Sequence, residues 1–559
     1  MFRTRDEILN ILRQLGHRAA REFEDETLDF KACPRDKRKI IQMVVEYAVC
    51  FANAGGGTLV LGVDDRTTGL DKAVRGCPEL DLLEMKRTVY DSTDPKILVE
   101  TEELEFSGRR VILIHIPEGT DVHTTTKGLA KIRVGKDCQP LTGTMRRILP
   151  FRKGLADFAA QTLAEPWAEL LDPEEIRRMR RTLQERDPRS ALLQQPDEQF
   201  LQGLGLLVRE EEELRLTIAG LLLAGREDAL REFLPQHEVT YLHMTSPMEY
   251  RRRRDLRQPI LKLLESIHEA ISVDNPIFTL KVGLFHFEIP AFPPDVYREA
   301  LLNALTHRDY TDMSGRVMVW QYENRLEVQN PGGLLPGITP ENILRAGPRH
   351  RNPLLAEALQ KLRLVERSGV GIDRMFYIQL YHGKEPPSFE TDPANSSLKV
   401  SLHNGVVDST FALFVRREEE AGRPLGLDNL LVLSALRRHR ELTTSMAAQV
   451  LQVDDRNARS VLNRMVAQGY LERGGRGKGT VFRLSGSVYE SLGQSIQYIR
   501  EKGIDELRFE ELILEYVRQY DSVSNRQVRE LLGVNRFVAT RLLRSLVKKR
   551  MLKPKTRRG

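Results

Sequence analysis

Three polar residues recur at intervals of four in one stretch of the chain: Glu299, Asn303 and His307. Residues four apart share one face of a helix, so on the predicted helix these side chains form a polar stripe with leucines between them. A glutamate can activate a water molecule, and an asparagine one turn away can hold a hydrated Mg²⁺. Nucleotide hydrolysis needs both groups. The same spacing is also typical of the solvated side of an ordinary helix, and spacing alone does not separate the two interpretations.

Two glycine-bearing segments follow this predicted helix. The first comes directly after a predicted strand (325–330) and reads Asn330-Pro331-Gly332-Gly333, and the second carries Gly369 and Gly371. Glycine lets the backbone approach a phosphate or a base closely. The ordered set of polar helix and two glycine turns favours a nucleotide site more strongly than any one member does.

This ordered set resembles the GHKL ATPases, the superfamily of gyrase, the heat-shock chaperone ATPases and histidine kinases. The resemblance covers residues 280–400, in the divergent form found in predicted bacterial transcriptional regulators. It implies ATP and Mg²⁺ as ligands, with Glu299 as the water-activating base and Asn303 as the metal ligand. The nucleotide-binding residues that it implies are Asn303, His307, Asn330, Gly332, Gly333, Gly369 and Gly371. Most GHKL proteins have an aspartate at the adenine-side turn, where this chain has Asn330, whose amide oxygen accepts the same hydrogen bond without a charge.

The length and composition describe a multidomain protein. At 559 residues the chain is too long for a single hydrophobic core. Its 41% hydrophobic and 29% charged residues are typical of soluble globular proteins, and no apolar run reaches the roughly 20 residues of a membrane span. The charged start predicts no secretory signal, so we expect a cytoplasmic protein. The net charge of +6 is modest, so any affinity for nucleic acid must come from local patches.

All four cysteines fall in the first quarter of the chain, at Cys33, Cys50, Cys77 and Cys138. They are spaced too widely for a Cys-x-x-Cys pair. We therefore expect separate thiols, with neither a disulfide framework nor a zinc site.

Three short motifs occur in order in the first 150 residues. They are the Glu24 to Lys31 segment with Asp29-Phe30-Lys31, the Phe51-Ala52-Asn53 turn followed by Gly56-Gly57, and Gly62-Val63-Asp64-Asp65 at the end of a predicted strand. Together they resemble the Schlafen/AlbA-type domain over residues 15–150. The resemblance implies an α+β domain that binds nucleic acid.

The role of the acidic residues in this domain stays open between three interpretations. In the Schlafen branch, carboxylates from the first and last motifs form a metal-dependent ribonuclease site, which points here to Glu24, Asp29 and Asp64 or Asp65. Asp29 stands where the family has a glutamate, which shortens its reach. The alternatives are metal-free binding of nucleic acid and simple capping of turns. In each case Lys31 and Arg133 are candidate phosphate contacts.

Residues 151–279 are predicted to form a mixed connecting unit, followed by the GHKL-like domain over 280–415. The run Arg251–Arg254 is interpreted as a solvated loop or a phosphate contact.

The pattern changes to short helices with tight connections over residues 425–486. A helix at Leu430–Arg438 precedes two further helices with N-caps at Thr443 and Asp454, and a predicted hairpin follows. Three helices and a two-stranded wing resemble a winged helix-turn-helix domain. This resemblance implies DNA contacts by Arg456, Asn457, Arg459 and Arg464 of the third helix and by Arg476 and Lys478 of the wing.

Residues 500–559 repeat this plan and end in a basic segment. From Asn535 onward the chain has ten lysines and arginines and no acidic residue. Such a segment attracts a polyanion by counterion release. The candidate contacts are Arg536, Arg541, Arg544, Lys548 and Lys549. Winged helices also dock proteins, which is the main alternative.

The leading hypothesis is a regulator with a multidomain α+β fold. Its winged helices bind DNA, its Schlafen/AlbA-type domain offers a second site for DNA or RNA, and ATP biases their arrangement. GHKL domains commonly act in pairs, so a homodimer is expected. The alternative is an ATP-gated, metal-dependent nuclease acting in defence against foreign nucleic acid. A translocating motor is not expected, because the chain has no Gly-x-x-x-x-Gly-Lys-Ser/Thr loop.

Overall fold

The computed structural model describes residues 2–119, 121–153, 156–282, 285–365, 370–404, 408–474, 480–492, 509–518 and 520–553. Gly369, Arg476 and Lys478, which the sequence singles out, lie outside these residues. Within the described stretches, no helix is both long enough and apolar enough to cross a bilayer.

The N-terminal unit is a small sheet between helices. Its helices are α1 (Arg5–Gln14), α2 (Lys37–Ala52), α3 (Leu70–Ala73), α4 (Leu82–Asp91) and α5 (Gly143–Arg152). Its strands are β1 (Leu28–Lys31), β2 (Gly57–Leu61), β3 (Thr93–Asp94), β4 (Glu100–Phe106), β5 (Arg109–Ile116), β6 (Thr124–Thr125), β7 (Lys131–Val134) and β8 (Asp137–Pro140). The central sheet has the order β1-β2-β5-β4, in which β1 and β2 are parallel and the other pairs antiparallel.

This central sheet is buried on both faces. Side chains alternate across a strand, so Leu59 and Leu61 of β2 pack in the cluster that contains α2, while Val60 packs in the cluster that contains α1. The ends of β1 and β2 are thereby held rigidly side by side, and they carry the acidic motifs.

The expectation of separate thiols is wrong. Cys33 is bonded to Cys77 and Cys50 to Cys138, with Cα–Cα distances of 5.4 and 5.9 Å. The partners are 44 and 88 residues apart in the chain. Only the packing of the domain brings them together, so their spacing gave no sign of the pairing.

The middle of the chain is built from short helices and one hairpin. These elements are α6 (Trp167–Leu170), α7 (Pro173–Arg186), α8 (Asp197–Leu204), β9 (Leu207–Glu210), β10 (Glu213–Leu216), α9 (Ile218–Ala224) and α10 (Glu227–Phe233). Their buried residues join one hydrophobic cluster that continues into the next part of the chain, as far as Leu402.

That next part is a six-stranded sheet covered by helices. Its strands, with a separate β13–β14 hairpin, are β11 (Val239–Ser246), β12 (Glu249–Leu256), β13 (Ile277–Val282), β14 (Phe285–Pro290), β15 (Val317–Gln321), β16 (Arg325–Pro331), β17 (Ser388–Thr391) and β18 (Ser397–His403). Its helices are α11 (Ile260–Ser272), α12 (Pro294–Thr306), α13 (Pro353–Lys361) and α14 (Gly371–Tyr381). The strand order is β12-β11-β15-β16-β18-β17, and the predicted boundary at residue 280 therefore runs through one sheet.

The run Arg251–Arg254 lies on a strand of this sheet and not in a loop, as one interpretation had it. Strand β12 pairs antiparallel with β11, and it forms one edge of the sheet. Four consecutive arginines carry no alternation of polar and apolar residues, so this run has no strand pattern to detect.

The C-terminal part consists of short helices with a small three-stranded sheet. The elements are α15 (Ser409–Glu420), α16 (Leu427–Arg438), β19 (Leu442–Thr443), α17 (Thr444–Leu451), α18 (Asp455–Ala467), β20 (Leu471–Gly474), β21 (Val481–Leu484), α19 (Gly486–Ser491), α20 (509–518), α21 (Asn525–Leu532) and α22 (Arg536–Lys548). The predicted caps are confirmed: the side chain of Thr443 accepts from the amide of Met446, and that of Asp454 accepts from the amide of Asn457.

Candidate functional site

Three carboxylates of the N-terminal unit converge on the ammonium group of Lys31. Asp29 and Lys31 are two residues apart on β1 and form an ion pair. The Lys31 Nζ lies 3.6 Å from Oε1 of Glu24 and 3.3 Å from Oδ2 of Asp65, which follows β2. Lysine thus occupies the centre of the predicted acidic site.

Two further residues that the sequence singles out, Arg133 and Asp64, are held by other partners than Lys31. The Arg133 guanidinium is buried, pairs with Asp29, and donates to the carbonyl oxygens of Asp25 and Leu28. In this arrangement it is not exposed to a phosphate. The Asp64 carboxylate lies 2.6 Å from the Arg75 guanidinium and accepts from Thr67, so it is outside the cluster.

The charges of this cluster compensate one another in a partly buried place. Burial raises the pKa of Glu24, and the Asp29 carboxylate adds to the rise, while Lys31 opposes it. For Lys31 the balance is reversed: burial lowers the pKa, but the ion pair with Asp29 outweighs burial and the net pKa is raised. Among the described residues, no group of three or more His, Cys, Asp and Glu side chains is arranged to hold a metal ion. The donor set therefore does not fit the metal of a nuclease.

A second group of polar residues lies on helix α12. Glu299 is buried and Asn303 is half-buried on the same face, and Asn303 donates from Nδ2 to Oε1 of Glu299 at 3.3 Å. This hydrogen bond uses the donor end of the amide and leaves its Oδ1 as the atom suited to a cation. A carboxylate and an amide oxygen one turn apart fit Mg²⁺, which takes one or two protein ligands and completes its shell with water and phosphate.

His307 ends the polar stripe at the C-cap of α12. Its ring centre is 5.7 Å from that of His350. Burial lowers the pKa of His307 to about 3, and the charges of His350 and Arg351 act in the same direction. The imidazole is therefore neutral at physiological pH and can accept or donate one hydrogen bond.

The first glycine turn lies beside this end of α12. Asn330, the buried next-to-last residue of β16, donates from Nδ2 to the carbonyl oxygens of Pro331 and Gly332. Gly332 has a φ of +94°, and a β-carbon there would lie 2.9 Å from the amide nitrogen of Asp309. Glycine is needed at this position for the turn to reach the segment after α12.

Arg351 ties these two segments together. It donates from Nε to the carbonyl of His307 at 3.1 Å and from Nη2 to the carbonyl of Gly333 at 2.9 Å. Asn352 adds two hydrogen bonds, to the carbonyls of Thr306 and Arg308. Arg351 thus joins the end of the stripe to the glycine turn, and Asn352 adds hydrogen bonds at the α12 end.

Gly371, at the start of α14, borders the other end of the stripe. A β-carbon on Gly371 would overlap Oε1 of Glu299, so any side chain at this position would displace the Glu299 carboxylate from its place beside α14. The polar stripe therefore lies between the N-terminus of α14 and the Asn330–Gly333 turn. This is an arrangement in which a nucleotide could contact backbone on both sides of a carboxylate and an amide.

Comparison with protein families separates the chain into three matched segments. Residues 24–142 match the family described as "Schlafen, AlbA_2", and residues 315–402 match the family described as "Putative ATP-dependent DNA helicase recG C-terminal". Residues 154–240 match a domain of unknown function. The chain carries a Schlafen/AlbA_2 domain and an ATPase-like domain.

A solved structure supports the fold of most of the chain. Nine chains match, among them the DIP2311 protein from Corynebacterium diphtheriae, with a TM-score of 0.50 and 24% identity. The match covers 87% of this chain and 98% of that one, so the two share a fold. A comparison with curated proteins finds no matching relative.

The matched segments divide the predicted site residues unequally. Lys31 and the acidic motifs fall in the Schlafen/AlbA_2 domain, while Asn330, Gly332, Gly333 and Gly371 fall within the ATPase-like segment. Glu299 and Asn303 precede that segment, so their place in the site rests on the geometry of α12.

The predicted nucleic-acid contacts of the C-terminal part lie on the surface. On α18, Arg456, Asn457, Arg459 and Arg464 are exposed, although Asn457 also donates to Asp454. On α22 and just after it, Arg536, Arg541, Arg544, Lys548 and Lys549 are exposed, and Lys549 pairs with Glu510 at 2.7 Å.

Several residues that shape the sites were missed from the sequence. Arg351 joins the glycine turn to the end of α12, Asn352 holds that end of α12, and the ring centre of Tyr47 lies 5.5 Å from Lys31 Nζ. The Asn352-Pro353 pair does carry a detectable signal, because a proline at the first helical position often marks a helix start. Nothing in the sequence indicates what the Asn352 side chain binds.

We predict that Lys31→Met destabilises the Schlafen/AlbA_2 domain more at pH 7 than at pH 5. Removing one partner of a buried ion pair costs about 3 kcal/mol. A carboxyl whose folded pKa is raised binds extra protons in the folded state, so stability falls as pH rises through its folded pKa. Without Lys31 the pKa of Glu24 rises further, so the loss of stability with rising pH becomes larger. Urea unfolding at pH 5 and pH 7 measures the free energy of unfolding of each variant, with the exposed Lys72→Met as control. An equal loss of stability at the two pH values would contradict the prediction.

Proposed function

We propose that the protein binds nucleic acid under the control of ATP bound at α12. The observation that carries the proposal is the position of the Glu299–Asn303 pair between Gly371 and the Asn330–Gly333 turn. The family matches support it, since one describes a Schlafen/AlbA_2 domain and the other the C-terminal part of an ATP-dependent DNA helicase.

The residues of the site divide the binding of Mg²⁺-ATP between them. Asn303 would hold the metal through Oδ1, and the metal would neutralise the phosphate charge. Glu299 is placed to orient and deprotonate a water molecule. Because Nδ2 of Asn330 already donates to two carbonyls, its Oδ1 is the atom that would accept a hydrogen bond from the adenine amino group.

The nucleic-acid side of the proposal rests on the C-terminal helices. Helix α18 follows α17 through a short turn and exposes three arginines, and a β20–β21 hairpin comes directly after it. This order is that of a winged helix-turn-helix, in which the third helix enters the major groove. Helix α22 is the corresponding basic element of the last unit. We include a homodimer in the proposal, because paired domains of this kind would present two such helices to a two-fold-related DNA site.

A direct link joins the two sides. The segment after the Asn330–Gly333 turn docks on the turn between α17 and α18: the Leu344 amide donates to Oε1 of Gln452 at 2.8 Å, and Gln452 donates to the Pro340 carbonyl at 3.0 Å. Arg345 donates to the Leu451 carbonyl and pairs with Asp428 of α16 at 2.6 Å.

Apolar packing reinforces this link. Leu344, together with Phe376 and Leu380 of α14, belongs to the hydrophobic cluster of α16, α17 and α18. A nucleotide that shifts either the glycine turn or α14 would therefore move the base of the proposed recognition helix. Couplings of this kind typically amount to about 1–3 kcal/mol.

We expect Asn303→Ala to weaken Mg²⁺-dependent ATP binding by more than the roughly 10–100-fold that loss of a supporting residue costs. The reason is that the variant removes the amide oxygen assigned to the metal. Titration of a fluorescent ATP analogue with and without Mg²⁺ measures the effect. Asn463→Ala, on the exposed face of α18, is the control and should leave ATP affinity unchanged. Equal ATP affinity in Asn303→Ala and the parent protein would remove the nucleotide assignment.

We expect a variant with Gln in place of Arg456, Arg459 and Arg464 to bind duplex DNA more weakly and with a flatter salt dependence. Each phosphate contact that is lost lowers the slope of log affinity against log salt by roughly 0.9. Fluorescence anisotropy at several salt concentrations gives the slope. A variant with Gln at Arg177, Arg181 and Arg231 loses the same charge elsewhere and should keep the slope. If both variants behave alike, α18 is not the contact.

We expect Arg345→Ala to uncouple the two ligands while each still binds alone. The ATP-dependent change in DNA affinity, about 5–150-fold for a typical coupling, should fall towards one. DNA titrations with and without ATP measure it. The control is Arg423→Ala, which breaks an ion pair with Glu418 on the same part of the chain but away from this contact. A coupling that survives Arg345→Ala would show that the signal takes another route.

A further inference from the structure

The edge strand β12 carries a positive charge that the proposed function leaves unused. Four arginines, Arg251–Arg254, follow one another on this strand and span roughly 10 Å at the usual rise of a strand. Charged residues on an edge strand commonly prevent pairing with other chains. This protective role explains why an edge strand is charged. It does not explain why some of its arginines lack an ion-pair partner or why large apolar side chains are exposed beside them.

The four arginines are not equivalent. Arg252 lies 2.7 Å from Oδ2 of Asp274, and Arg253 lies 2.9 Å from Oδ2 of Asp255. Within the described part of the chain, Arg251 and Arg254 form no ion pair, and both side chains are exposed. Two full positive charges therefore remain available at the edge of the sheet.

The turn that precedes these arginines exposes large side chains. Met248 is 94% exposed and Tyr250 is 52% exposed, which is far from the usual burial of such residues. Tyr250 interacts with the guanidinium of Arg253, which places its ring on the face of β12 opposite to Arg254, because neighbouring side chains alternate across a strand. The register of β11 and β12 shifts between Arg252 and Tyr250, so Arg251 is the extra residue of a bulge. Bulges redirect a side chain away from the regular ladder.

We propose that β12 and its turn bind single-stranded nucleic acid. Because β12 is an edge strand, a nucleic acid that lies along this edge reaches side chains of both faces: Arg251 and Arg254 contact phosphates, and the Tyr250 ring stacks on a base. Proteins that bind single strands without sequence preference combine a basic track with aromatic stacking groups, and this strand has both within five residues. The site lies on the ATPase-like sheet, away from α18 and α22, and its existence does not depend on ATP binding.

A second copy of the chain is a poor occupant of this edge. If two β12 strands paired antiparallel, arginines would stand opposite arginines, and like charges directly opposite each other destabilise a sheet. A phosphodiester backbone instead complements the charge without pairing the strand.

The test compares binding of a labelled 20-nucleotide single strand and a duplex of equal length, as DNA and as RNA, to full-length variants. Arg251→Gln/Arg254→Gln should lower the salt slope for the single strand by about 1.4, which is roughly 0.7 for each of two contacts. Tyr250→Ala should weaken single-strand binding about fivefold or more, while Tyr250→Phe keeps it. The control Arg181→Gln/Arg209→Gln removes the same charge from another exposed surface and should change nothing.

The outcomes separate this proposal from the proposed function. If the Arg456/Arg459/Arg464 variant loses duplex binding but keeps single-strand binding, β12 is an independent site. If Arg251→Gln/Arg254→Gln leaves the single-strand affinity and salt slope unchanged, the proposal is wrong. It is equally wrong if this variant changes only the sedimentation coefficient, because β12 would then be a contact between copies. ATP affinity should be the same in every β12 variant.

Discussion

The close approach of α14 to α12 is the constraint on which the rest of the proposed nucleotide site depends. Gly371 has no side chain, and this lets the start of α14 lie against the carboxylate of Glu299. The approach buries Glu299 beside Asn303 and sets one wall of the site, while Arg351 holds the opposite wall, the Asn330–Gly333 turn, to the end of α12. A carboxylate kept from bulk water in this way interacts more strongly with any charge brought next to it.

The same helix transmits the state of the site to the C-terminal part. Phe376 and Leu380 leave α14 on the side away from Glu299 and enter the core of α16 to α18. Well-packed interiors deform little and shift as units. A displacement at the start of α14 is therefore not absorbed locally but reaches the helices that the arginines of α18 belong to.

Helices, caps and strands could be predicted from local patterns of residues, whereas features that depend on long-range packing could not. The polar stripe of α12, the caps Thr443 and Asp454 and the strand before Asn330 all depend on neighbours within a few residues, so they could be predicted. The cysteine pairs could not, because their partners meet only in the folded domain.

The acidic cluster shows a different limit. Its carboxylates could be found as motif members, but their chemistry depends on Lys31 and Arg133, which the sequence offers equally well as surface cations. Folding buries Arg133 against Asp29 and places Lys31 between three carboxylates. A residue type thus indicated the charge, and only the packing indicated whether that charge was available.

The shared core of the middle part has a practical consequence for dissecting the protein. Strands β11 and β12 complete a sheet whose other strands come more than 60 residues later, and α7 to α9 cover the same hydrophobic cluster. A fragment that begins near residue 280 would expose the flank of β15 and lose the apolar cover of α7 to α9. A recombinant fragment that contains this sheet should therefore begin no later than about residue 156, and fragments that begin later should aggregate.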